Sequence, residues 1–325
     1  MIRLVSTLVV PACLMLAPLA AFAQQPYPAR PIRIISPLPP GSGVDVIMRK
    51  AGDTLNARLG QPMILENRPG GNMTIGADQC ARAAPDGYTL CLVSGSSMSF
   101  APHTFAKLPY DPDKDLRPVV LLFHLIEGLL AKASLPVNSA QELRAMAVAN
   151  PGKLNFGTLG PDSTTDISRR NLGERWKTEI AGIHYKGGPQ ILTALAGGEI
   201  DFTRIGVFNA IGLLKAGKVK ILAIGGSRRS PLLPAVPTLD EVGLGGIPPE
   251  RPWWGLAASS ATPDAIVRRL NGEYVKLFRE PSFLEFLDTQ YVETAVGTPE
   301  QFAAFLKKDR EEAGQLVKYF NIPKQ

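Results

Sequence analysis

The sequence predicts two α/β lobes with a cleft between them, and three observations carry that expectation. Strand-like and helix-like segments alternate along most of the chain, the pattern of mixed or parallel sheets covered by helices. The 325 residues, less a short N-terminal leader, fit two domains at about 100–200 residues each. Finally, a Pro- and Gly-rich stretch, residues 230–252, is followed by a strand-like segment that returns to the first lobe, so the chain crosses between lobes twice. The expected boundaries are 24–125 with 252–325 for the first lobe and 126–251 for the second.

The leader comes first. Arg3 is the only charged residue before Arg30, residues 4–19 are mostly apolar, and Ala21-Phe22-Ala23 has the small-x-small pattern of a signal-peptidase site. Residues 1–23 therefore read as a signal peptide cut after Ala23. Pro11 and Pro18 interrupt the apolar run, which argues against a retained membrane anchor. A lipoprotein reading at Cys13 is opposed by Pro11 beside it and by the apolar run that continues past it. Losing Arg3 leaves 34 basic against 29 acidic residues, a net charge of +5, with no block of five basic residues. That balance suits an anionic small molecule and excludes nucleic acid as the main partner.

The first lobe opens with a short strand, residues 32–35, and a Pro-Gly turn. Val44, Met48, Ala51, Leu55 and Leu59 then recur at helical spacing, and Gly60 ends that helix. The unit repeats: strand 63–65, turn 70–72, helix 74–83, turn 85–87 and strand 89–93. Cys80 falls late in that helix and Cys91 in the strand after it. Exported cysteines tend to pair, and a helix packed on its own strand brings them within reach; two separate buried thiols are the alternative. The apolar stretch 119–130 leads into the second lobe. There, helices are expected at 139–149, 164–176 and 189–196, and strands at 154–156, 200–203 and 219–224. Strand 254–257 re-enters the first lobe, and helices over 263–278, 281–288 and 299–319 close the chain.

Two turns have the same chemistry. Ser42-Gly43-Val44-Asp45 and Ser163-Thr164-Thr165-Asp166 each follow a strand and open a helix with S-x-x-D spacing, which caps the first turn. A capped helix start keeps spare amide donors and a positive dipole end, so it can hold a carboxylate without a charged side chain. Ordinary capping with no ligand is the competing reading, because such caps are common. A third turn, Ser94-Gly95-Ser96-Ser97, offers hydroxyls at the C-terminal end of a strand, where ligands of open α/β sheets gather; a polar surface loop is the equal alternative. There is no G-x-S-x-G elbow, no P-loop and no H-E-x-x-H. His103, His124 and His184 share no metal spacing. His124 reads as packed, and His184 reads equally as packed or as a donor to a ligand. No enzyme, cofactor or metal is expected. An exported serine hydrolase assembled from distant residues remains the rival class.

Taken in order, the motifs resemble those of one family. Tyr27-Pro28-Ala29-Arg30-Pro31-Ile32-Arg33 looks like the mature start of the substrate-binding proteins of tripartite tricarboxylate transporters (the Bug, or TctC-like, family). Pro39-Pro40-Gly41-Ser42-Gly43-Val44-Asp45 is similar to its P-P-G-G-x-x-D loop and Leu65-Glu66-Asn67-Arg68-Pro69-Gly70 to its V-E-N-R-P-G. Ala83-Ala84-Pro85-Asp86-Gly87-Tyr88-Thr89-Leu90 matches A-A-P-D-G-Y-T-L. Leu108 to Pro112, Asn150 to Asn155, Tyr185 to Gly188, Lys215 to Lys218 and Val236 to Thr238 follow in the expected order.

The resemblance implies a two-lobed periplasmic-binding-protein (Venus-flytrap) fold with two interlobe crossovers. It implies a periplasmic location in a Gram-negative bacterium and capture of a small carboxylate for membrane subunits of a tripartite transporter. A variant is presentation of the liganded protein to a sensor kinase. A monomer is expected. By position, the resemblance assigns the ligand to Leu38, Gly41, Ser42, Gly43 and Val44, to Ser94 and Ser97, and to Thr158, Gly160, Ser163 and Thr164, with Tyr185 opposite. Three positions depart from it. The family often has an aromatic at Leu38, His at Asp166 and an acid at Ile205. The neighbouring Arg204 is added as a candidate: facing the cleft, its guanidinium fork would pair with a second carboxylate; facing solvent, it would not. The loss of an acid at Ile205 disfavours an amino-acid ligand.

Overall fold

The computed structural model describes residues 27–161, 163–226, 228–246 and 251–324. The expected signal peptide, the expected cut after Ala23 and the Cys13 alternative lie outside the described residues. Among the described residues no helix is long and apolar enough to cross a membrane.

The chain begins with β1 (Ile32–Ser36), α1 (Gly43–Leu59), β2 (Met63–Asn67), α2 (Thr74–Ala81), β3 (Thr89–Ser94), α3 (Ala101–Thr104) and β4 (Leu116–Leu125). It continues through β5 (Glu127–Lys132), α4 (Ala140–Ala149), β6 (Asn155–Thr158), α5 (Thr164–Trp176), β7 (Ala181–His184), α6 (Gly188–Gly197), β8 (Phe202–Gly206), α7 (Val207–Lys215) and β9 (Val219–Ile224). It ends with β10 (Trp253–Ser259), α8 (Asp264–Leu277), α9 (Pro281–Thr289), β11 (Val292–Thr294) and α10 (Pro299–Tyr319).

These strands form two mixed sheets. The first has the order β11-β4-β10-β3-β1-β2 and the second β7-β6-β8-β5-β9. In the first, β1, β2 and β3 run parallel while β10 opposes both β3 and β4. In the second, β7, β6 and β8 run parallel and β5 opposes β8 and β9. The parallel strands place the following helices at one edge of each sheet, which is where ligand sites of open α/β sheets form.

Helix α1 shows how sequence pattern becomes packing. Val44, Ile47, Met48, Ala51, Leu55 and Leu59 are buried together against Ile32, Ile34, Leu90 and Leu92 of the first sheet. Three- and four-residue spacing puts them on one face. Gly60 stops the helix in the left-handed region, with φ 66°, and its N–H bonds the Asn56 carbonyl. The second lobe has its own core, in which Phe202 stacks on Trp176 and meets Phe156 edge to face. Cys80 and Cys91 form a disulfide that ties α2 to β3, with Cα atoms 5.9 Å apart.

Several elements differ from the sequence reading. The apolar stretch 119–130 is two strands, β4 and β5, broken at Ile126, where the chain passes from one sheet to the other. Hydropathy does not mark that break, because both strands are buried. Strands β7 and β11 and helix α7 were not anticipated. The expected turn over Ser94–Ser97 is the end of β3 followed by a wide helical turn, Ser96–Phe100, that runs into α3. Its Ser and Gly content reads as loop, yet Met98 and Ala101 bury it.

The crossings between sheets are bonded to one another. Ile126 N–H donates to the Tyr291 carbonyl (3.0 Å), and the Ile126 carbonyl accepts from Val207 N–H (2.9 Å). Leu125 N–H donates to Pro252 O (2.7 Å), and Gly225 N–H to Glu127 O (2.6 Å). Ile126, Val207 and Ile224 pack as a small core at this point. A further bridge comes from the C-terminus, where Val317, Phe320 and Ile322 pack on Ile167 of α5.

Candidate functional site

A cavity of about 1970 Å³ lies between the two lobes. Leu38, Gly41, Ser42, Gly43, Val44 and Ser94 line it from the first lobe, and Gly160, Ser163 and Thr164 from the second. Nine of the thirteen expected ligand positions therefore share one space.

The two S-x-x-D turns are built alike. Ser42 Oγ accepts from Asp45 N–H at 3.3 Å, and Asp45 reaches back to accept from Gly41 N–H at 2.9 Å. Arg49 and Asn67 donate to the same carboxylate at 2.9 and 2.8 Å, and the Asn67 amide also donates to Leu38 O. Burial opposes ionisation of Asp45, but Arg49, Asn67 and Gly41 outweigh it and hold its carboxyl below the usual value. In the second lobe, Ser163 Oγ accepts from Asp166 N–H (3.3 Å) and donates to Gly160 O (2.7 Å). Thr165 Oγ1 accepts from Leu159 N–H (2.8 Å), and Asp166 is held by Arg169 and Arg170. Asp45 thus ties its loop to the start of α1, whereas the carboxylate of Asp166 is held by two arginines of its own helix. The first-turn amides of α1 and α5 have no acceptor within their own helices, so both present donors and a positive dipole end beside the cavity.

Helices α6 and α7 also begin at the cavity, through Gly187, Gly188, Phe208 and Asn209. Four helix starts thus border a space whose wall also carries the acids Glu127, Asp309 and Glu312. Asp309 of α10 is one of these. Its Oδ2 accepts from Ser99 Oγ and, at 2.9 Å, from Trp253 Nε1. Burial pushes its carboxyl above the usual range, against those two hydrogen bonds.

Four expected positions lie outside the lining. Ser97 is buried, and its Oγ accepts from Ser94 N–H (3.3 Å) and donates to Ser94 O (3.2 Å), so it shapes the turn from behind. Thr158 is buried and bonds His184 Nδ1 at 2.6 Å; His184 itself is exposed and off the cavity wall, so it is neither packed nor placed at the site. The ring of Tyr185 packs on the α6 and β8 core, while the Lys186–Pro189 segment after it reaches the cavity. Arg204 is 2% exposed and pairs with Glu127 at 2.9 Å, so it faces neither cavity nor solvent. Alternation along β8 turns Ile205 to the cavity instead, and Ile205 lines it.

Sequence reasoning missed other wall residues: Phe208, Trp253, Trp254, Tyr291 and Phe305. They belong to elements distant in the chain and match no local motif. His124, read as packed, also lines the cavity. Burial, with Arg251 nearby, drives its pKa down to about 4, so it is neutral near pH 7. Among the described residues, no group of three or more His, Cys, Asp or Glu is placed to hold a metal ion.

Residues 47–322 match the family model described as the tripartite tricarboxylate transporter family receptor. The periplasmic binding protein BugD superposes with a TM-score of 0.81 at 28% identity, over 92% of this chain and 100% of that one. Rpa4515 of R. palustris, solved with adipate, gives 0.83 at 26% identity, over 92% and 100%. MatC of Rhodopseudomonas palustris, solved with malate, gives 0.78 at 30% identity, over 90% and 100%.

Proposed function

Since the chain belongs to the tripartite tricarboxylate transporter receptor family, a family of binding proteins rather than enzymes, we propose that it captures a small organic mono- or dicarboxylate in the interlobe cavity. One observation carries this reading: two capped helix starts, α1 and α5, open from opposite lobes into the same space. A carboxylate bridging them gains donors from both lobes only when the lobes are together, so the ligand favours closure. The adipate and malate bound by relatives agree with this chemistry. The aromatic wall suits an acid with an apolar or aromatic body.

In this reading the mature protein starts after Ala23, acts in the periplasm as a monomer and delivers its ligand to membrane subunits of a tripartite transporter. Residues 24–125 with 252–325 move as one lobe and 126–251 as the other. Mass spectrometry of ligand released from freshly purified protein tests the proposal. An organic acid is expected. A neutral sugar, or an amine without a carboxyl, would overturn it.

A further inference from the structure

Gly43 is the first residue of α1 and lies at the cavity, yet it is buried. The residue that covers it belongs to the other lobe. A methyl group added at Gly43 would overlap ring carbons Cδ1 and Cε1 of Phe208 and lie 2.7 Å from Cγ. The backbone gives no reason for a glycine here. Gly43 is not among the positive-φ glycines, and the first turn of a helix accepts any residue but one that cannot fit. Space alone requires it.

Phe208 is fixed to the hinge. It stands in the first turn of α7, whose Val207 N–H bonds the carbonyl of Ile126 at 2.9 Å. Ile126 is the residue between β4 and β5 at which the chain changes sheets. Val207 is fully buried against Ile126 and Ile224. A rotation of one lobe about Ile126 therefore changes the gap between Phe208 and Gly43 directly, with no flexible segment to absorb it.

We infer that Gly43 and Phe208 are a matched interlobe pair that sets how far the cleft closes over the donor end of α1. Phe208 is then a positioning residue for the ligand. The depth of closure fixes the distance between the α1 amides and those of α5, and so the size of the group that both can hold. This rests on the two-lobe binding reading above, but it makes a prediction about shape that needs no ligand.

The test compares wild type, Gly43→Ala, Phe208→Ala and the double variant, after circular dichroism shows that all four fold. Small-angle scattering without ligand is expected to give a larger radius of gyration for Gly43→Ala and a return toward wild type in the double variant. With adipate and malate as probes, Gly43→Ala should weaken binding at least about 10-fold, and the double variant should bind within about 3-fold of Phe208→Ala alone, the non-additivity of residues in contact. An unchanged radius for Gly43→Ala, or the same loss of binding with and without Phe208, would overturn the pairing. If neither acid binds wild type, adipate and malate are excluded as ligands, and the scattering comparison alone decides the pairing.

Discussion

Asp45 is 2% exposed and joins three parts of the first lobe: Gly41 of its own turn, Arg49 one helical turn on, and Asn67 at the end of β2. Its lowered pKa makes it a source of stability. A carboxyl whose folded value lies below its unfolded value, about 3.9 for Asp, stabilises the fold at higher pH. That contribution is lost as pH falls through the folded value. Asp45→Asn is therefore expected to lower the melting temperature near pH 7, and the gap from wild type should shrink below about pH 4. A gap that stays constant from pH 7 to pH 3 would show that shape, not charge, is what Asp45 supplies. The pairing of Ser42 with Asp45, and of Ser163 with Asp166, was legible in the sequence because a cap is made within four residues. Asp309, Phe208 and Trp253 were not legible as wall residues. Each reaches the cavity from an element whose position depends on the whole sheet. Arg204 shows the limit of local reading: alternation along β8 decides which of two neighbours faces the cavity, and Ile205 does.

Helix α10 begins with a capping box, in which Thr298 and Gln301 bond each other's backbone N–H. Its far end joins the lobes. Val317, Phe320 and Ile322 pack on Ile167, and the Tyr319 hydroxyl donates to Glu174 at 3.1 Å. Both contacts lie on α5, whose N-terminus faces the cavity, so α10 connects the site to the chain end. Phe320→Ala should cost about 3–4 kcal/mol of stability, the lower part of the range for buried aromatics, because Phe320 keeps 9% of its surface exposed. Chemical denaturation measures this, and a loss under about 0.5 kcal/mol, the usual scale of surface changes, would mean that the C-terminal cluster does not hold. The periodic pattern of residues 299–319 fixed the extent of this helix from sequence. Nothing local to the pattern indicated that its last turn touches the other lobe.

At the scale of the molecule, the chain passes between the two sheets at Ile126, which packs with Val207 and Ile224, and the cavity lies between the sheets. A ligand that binds only the folded, closed form raises stability by mass action. At one hundred times its dissociation constant the gain is about 2.7 kcal/mol. For a protein of about 300 residues this corresponds to a melting-temperature rise of roughly 4–5 °C. Differential scanning calorimetry with the acid identified from the purified protein should show that rise. A shift below about 1 °C at saturation would show that the acid does not bind the folded protein in preference to the unfolded chain.

The sequence by itself determined the elements and the local chemistry. Hydrophobic periodicity set α1, α5, α8 and α10 nearly to the residue, because helix spacing is a local property. Cap residues set where α1 and α5 begin and left their first amides free. The order of motifs along the chain identified the family. Only the tertiary structure decided what those donors face. Strand order brought β1, β3, β6 and β8 to the edges of one cavity, and the break at Ile126 set the two sheets against each other. Contacts between residues far apart in the chain, such as Phe208 on Gly43 and Asp309 on Trp253, follow from that packing. The cleft is a property of how two sheets meet, and no segment of the sequence contains it.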